Sequence, residues 1–63
     1  MTPKQKKKAV DLAVKKMREA ADAMLDLEMI CIELGVESHQ EEAFRDGLRE
    51  RACYWENCTW WKR

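Results

Sequence analysis

Val10, Ala13, Met17, Ala20, Met24, Leu27, Cys31 and Leu34 follow one another at alternating steps of three and four residues. Every one of these positions is apolar, and neither proline nor glycine interrupts the chain from Lys4 to Leu34. A heptad seam of this length constrains the fold strongly. The segment forms one long helix whose apolar edge needs a second helix to cover it. Pro3 stands in the first turn, where its missing N–H costs nothing. Ala13 and Ala20 let a partner backbone approach the seam closely.

The helix has a legible end. Gly35 follows the last seam residue and can adopt the left-handed cap conformation. Ser38 and Glu41 then form the S-x-x-E signature "SHQE" of a helix start. The expected organisation is a single helical-hairpin domain over residues 1–63, with helix 1 over 3–34, a turn over 35–38 and helix 2 over 39–61. So short a turn makes the helices antiparallel neighbours. On helix 2, Phe44, Leu48, Trp55 and Thr59 share a stripe with Ala52 at its edge, and this stripe is expected to meet the seam. Gly47, in mid-helix beside the stripe, costs about 1 kcal/mol relative to alanine. Either a close helix contact or simple tolerance accounts for it.

One hairpin does not use all the apolar surface. Leu25, Met29, Ile32 and Val36 form a second stripe about 100° from the seam. Ile30 and Ala23 flank the seam on its other side. A chain of 63 residues buries a small fraction of its surface and is marginal alone. The expected fold class is therefore all-α: an antiparallel two-helix hairpin that dimerises through Leu25, Met29, Ile32 and Val36 into a four-helix bundle.

The residues that could carry chemistry do not converge. Cys31, His39, Cys53 and Cys58 resemble a zinc ligand set in type. On a hairpin, however, Cys31 and Cys53 sit roughly 15 Å apart along the helix axes. Cys53 and Cys58 diverge by about 140° on one helix and do not bridge. Cys31 lies in the seam as a small core residue. His39 falls in a helix-start turn, with no nucleophile or acid in a cleft beside it. Phosphate loops and nucleotide fingerprints are absent from the sequence. No metal, no cofactor, no catalytic residue and no enzyme activity are expected. The odd cysteine count and the lack of a signal-peptide core lead us to expect a reduced, cytoplasmic protein. No apolar run approaches the ~18 residues of a membrane span.

The formal net charge of zero conceals blocks. Residues 1–18 sum to +6, residues 19–46 to −8 and residues 47–63 to +2. Lys4, Lys6, Lys7 and Lys8 form a basic start, which the hairpin sets beside the C-terminal end. That end, "CYWENCTWWKR", holds all three tryptophans and the only tyrosine. Trp55 falls on the stripe of Phe44 and Leu48 and is expected in the core. Trp60 falls with Cys53, Glu42, Asp46, Arg49 and Glu56 on a charged face with no core partner. Tryptophan and arginine dominate binding hot spots. Trp60, Trp61, Cys53, Arg49, Lys62 and Arg63 are therefore the expected docking residues for a larger protein.

The function expected is a small non-enzymatic interaction module, an adaptor or inhibitor whose architecture suits a phage-type regulator. Its partners would be a second copy of itself and an unidentified larger protein. The rival reading is a small nucleic-acid-binding regulator using Lys4, Lys6, Lys7 and Lys8 with the C-terminal tryptophans. An anionic membrane surface is a weaker third reading.

Overall fold

The computed structural model describes residues 2–57. Helix α1 spans Pro3–Leu34 and helix α2 spans His39–Asn57, and the two pack against each other as a hairpin. The expected end of helix 2 near Trp61, together with Thr59, falls outside these residues.

Each end of α1 is closed by local chemistry. Gln5 N–H donates to Thr2 Oγ1 at 3.2 Å, and Thr2 N–H donates to Gln5 Oε1 at 3.0 Å. This reciprocal box satisfies two donors that a helix start otherwise leaves unpaired. "TPKQ" carries the same signature as "SHQE", so this cap was readable in the sequence. At the far end Gly35 adopts φ 72°, ψ 25°. That left-handed turn lets Gly35 N–H reach Ile32 O at 3.1 Å and Val36 N–H reach Cys31 O at 2.9 Å. The pair of bonds is a Schellman closure, and it sends the chain back along α1. At the start of α2 the bond to Ser38 is a backbone one, from Glu42 N–H to the Ser38 carbonyl oxygen at 3.0 Å.

The seam differs from the expected one in phase. Val10, Val14, Ala21, Glu28 and Cys31 are buried, and Met17 and Met24 are half-buried between them. These positions also step by four and three. They share Val10, Met17, Met24 and Cys31 with the expected seam but replace Ala13, Ala20 and Leu27 with Val14, Ala21 and Glu28. Leu27 and Leu34 are exposed instead. The reason lies on α2. Its inward positions are Glu41, Arg45, Leu48, Ala52 and Trp55, again stepping by four and three. Arg45 supplies a counter-charge for Glu28, so the acidic position can go inward. Ala52, 1 % exposed, leaves room for both valines to pack.

Phe44 was expected on the packing stripe, yet it stands 53 % exposed. Arg45 takes the inward position beside it. Trp55 and Leu48 are half-buried, as their stripe implied, and Ala52 lies at the centre of the contact rather than at its edge. The apolar core is concentrated at the open end of the hairpin, where Met17 and Trp55 pack on Val10, Val14 and Ala52. The Arg51 guanidinium lies 5.3 Å from the centre of the Trp55 ring, within cation–π range. Toward the turn the interior becomes polar.

Candidate interaction surface

The polar interior is built on Glu28 and Arg45. Arg45 Nη1 donates to Glu28 Oε2 at 2.5 Å, and Arg45 Nε and Nη2 each donate to Asp46 Oδ1 at 3.3 Å. Both pair members are largely enclosed by the helices. Desolvation pulls the Arg45 pKa down, but the nearby Glu28 and Asp46 carboxylates outweigh it and hold the guanidinium above its ordinary value.

Two further ion pairs cross from α1 to α2 along one side of the hairpin. Arg18 Nη2 binds Glu56 Oε2, and Arg49 Nη2 stands 4.0 Å from Asp22 Oδ1. Arg49 and Glu56 were expected on an outer, solvated face. They lie on a flank that borders α1 instead. Asp11, Lys15, Arg18, Asp22 and Glu56 line an open groove there, carrying charges of both signs. All four residues of these pairs are about half exposed or more, so the pairs contribute little stability individually.

These pairs fix which way the remaining surface points. At about 100° per residue, Leu25, Met29 and Ile32 lie on the ion-paired flank, nearer the turn. Ala13, Ala20, Leu27 and Leu34 lie on the opposite flank of α1, with Ile30 farther round. Phe44 and Gly47 occupy that same opposite flank on α2. Large apolar side chains are exposed on both flanks: Ile32 at 64 % and Val36 at 54 % on or near the first, Leu34 at 71 % and Phe44 on the second. A Cβ built on Gly47 would meet nothing within 4 Å, so no contact inside the hairpin requires glycine there.

The expected docking residues are only partly described. Arg49 faces Asp22 across the ion-paired flank. Cys53 is an exposed free thiol, and its carbonyl oxygen and sulfur both accept from Asn57 Nδ2, at 2.9 and 3.3 Å. Trp60, Trp61, Lys62 and Arg63 lie outside the described residues. In the basic start, Lys7 Nζ binds Asp11 Oδ2 at 3.1 Å, while Lys4 and Lys8 are exposed and Lys6 is half-buried. Among the described residues, no three His, Cys, Asp or Glu side chains stand where they could share a metal ion. Cys31 is buried, and His39 Nε2 stands 3.7 Å from the Glu37 carboxylate in the turn. No helix of the described residues is long and apolar enough to cross a membrane. No protein family, curated protein or solved structure matches this chain.

Proposed function

We propose that this chain is a non-enzymatic protein–protein interaction module. It self-associates into a four-helix bundle through one flank of the hairpin and presents the other to a larger protein, as an adaptor or inhibitor. The observation that carries this reading is the exposure of Leu25, Leu27, Met29, Ile30, Ile32, Leu34, Val36 and Phe44 around the turn half. Apolar side chains exposed on both flanks in this number cost solubility unless something covers them. The hairpin's own interior is thin, because the buried apolar residues among the described ones are two valines, two alanines and a cysteine. Cys53 and Arg49 on α2 belong to the proposed docking set, together with Trp60, Trp61, Lys62 and Arg63 of the sequence, whose aromatic and arginine side chains suit a hot spot.

Sedimentation equilibrium at micromolar concentration tests self-association, with an expected mass of twice the 7.5 kDa chain. Affinity capture from the native host, run in parallel with wild-type chain and an Ile32→Glu variant of unchanged helicity, tests docking. A protein retained by the first and lost by the second supports the reading. A monomer that retains only nucleic acid, with binding that falls steeply in salt, overturns it in favour of the basic residues Lys4, Lys6, Lys7 and Lys8.

A further inference from the structure

The two flanks of the turn half are not equivalent. The flank of Leu25, Met29 and Ile32 faces charged residues on α2, where Asp46 and Arg49 engage Arg45 and Asp22. On the opposite flank Leu27, Leu34 and Phe44 are exposed, and the charged residue on its α2 side is Arg51, one heptad after Phe44 and drawn over the Trp55 ring. It also holds the small residues Ala13, Ala20 and Gly47, whose place in the hairpin leaves them little to do. Along the rod, charge is strongly polarised. Residues 1–18 carry +6 at the open end, and residues 19–46 carry −8 toward the turn.

We infer that a second copy of the chain covers the Leu27–Phe44 flank, running antiparallel and in full overlap. The acidic half of each hairpin then lies along the basic half of the other. This rests on the self-association proposed above and adds to it a face and an orientation. Charge selects the orientation. A dimer overlapping only at the turn halves would bring two regions of −8 together within the ~10 Å over which charges interact at ordinary salt. Full antiparallel overlap replaces that repulsion with attraction between opposite charges.

Side-chain size agrees with the charge. A two-fold axis beside Ala20 sets Ala20 against its own copy. The same axis sets Ala13 opposite the partner's Leu27, and Leu27 opposite the partner's Ala13. Small residues facing large ones let the helices interdigitate at close range, as bundle packing requires. Gly47 on α2 removes bulk from the same face.

The experiment combines oligomer mass, its salt dependence and one distance. Sedimentation on the native chain is run between 0.05 and 0.5 M NaCl. Antiparallel overlap predicts a dissociation constant that rises several-fold with salt. A turn-on-turn dimer predicts one that falls. A nitroxide carried by an unnatural residue in place of Glu37 then reports the spacing between the two turns by dipolar spectroscopy. Glu37 lies about 25 Å from the Ala20 axis, so two labels should stand about 50 Å apart. A spacing under about 25 Å in a proven dimer overturns the orientation while leaving self-association standing. A monomer under all conditions overturns both. Two variants decide the face: Phe44→Lys should weaken the dimer at least tenfold, and Met29→Lys should leave it within about twofold. The reverse pattern moves the dimer to the ion-paired flank and overturns the proposal.

Discussion

Arg45 and Glu28 face each other inside the helix pair at 2.5 Å, and Glu28 stands three residues before Cys31 on an α1 seam otherwise made of apolar side chains. An enclosed ion pair of this kind is weak evidence of net stabilisation, since desolvating two charges costs about as much as their attraction returns. Its value lies in register. Sliding or rotating α2 by one residue leaves both charges unpaired in the interior, so the pair selects one hairpin geometry over its neighbours. We predict that Glu28→Ala lowers the melting temperature by at least ~5 °C, because Arg45 is left enclosed without its principal partner. The double variant Glu28→Leu with Arg45→Leu should recover most of that loss. Thermal melts followed by circular dichroism check both. A double variant as unstable as the single one would show that the pair itself, and not the avoidance of a lone charge, holds the helices.

The same pair explains what the sequence conceals. Pro3, the apolar repeat and Gly35 announce α1 and its turn because each acts locally. The phase of the seam is not local. Two heptad phases fit α1, sharing Val10, Met17, Met24 and Cys31, and hydropathy alone prefers Leu27 to Glu28. Only Arg45, seventeen residues away on another helix, reverses that preference. Phe44 fails for the matching reason, since Arg45 takes the inward position that its ring was expected to share. Trp55, Leu48 and Ala52 were legible because the open end is purely apolar. Arg49 and Glu56 looked solvated because a helix wheel has no second helix on it, and Asp22 and Arg18 supply one.

The two glycines should respond oppositely to alanine. Gly35 has φ 72°, a region where a Cβ is strained, and its N–H closes α1 on Ile32. Gly35→Ala should cost about 1 kcal/mol. Gly47 is in mid-helix with open space around its Cα, and Gly47→Ala should stabilise the hairpin by about 0.5–1 kcal/mol. Urea titrations at concentrations below self-association separate these effects from the dimer. Equal destabilisation by both changes would mean that Gly47 meets a contact inside the hairpin after all.

Thiol reactivity should follow burial. Cys53 is exposed on α2 and Cys31 is buried in the seam. Under native conditions a maleimide should modify Cys53 within minutes and Cys31 only as fast as the helices separate. Peptide mapping by mass spectrometry at timed quenches gives the two rates directly. Comparable rates for both would place Cys31 at the surface and disprove the observed phase of α1.

Trp55 should be the most costly side chain to lose. Its ring packs on Val10, Val14 and Ala52, and Arg51 lies over its face. Truncating aromatic residues in full cores costs about 3–5 kcal/mol, and Trp55 is half-buried, so about 2–3 kcal/mol is expected for Trp55→Ala. That is a large share of the stability available to so small a domain. Phe44→Ala, by comparison, should change hairpin stability by no more than about 0.5 kcal/mol, because its ring makes no part of the core. Denaturant unfolding of the two variants at low concentration tests the contrast.

Adjacent alanines give the sharpest test of helix phase. Ala21 is 0 % exposed and faces α2 directly, whereas Ala20 is half-buried on the Leu27 flank. A leucine at position 21 has no space between the helices, and overpacking of this kind costs about 1–3 kcal/mol. A leucine at position 20 projects along the flank and should leave the hairpin within about 0.5 kcal/mol of wild type. If a second copy crosses at Ala20, the same Ala20→Leu change will push the two α1 helices apart and weaken the dimer. The two variants therefore fail in different assays. Ala21→Leu lowers the melting point at every protein concentration, while Ala20→Leu lowers it only where wild type is dimeric. Were Ala20→Leu to unfold the monomer and Ala21→Leu to spare it, the seam would run through Ala13, Ala20 and Leu27, and Glu28 would stand in solvent.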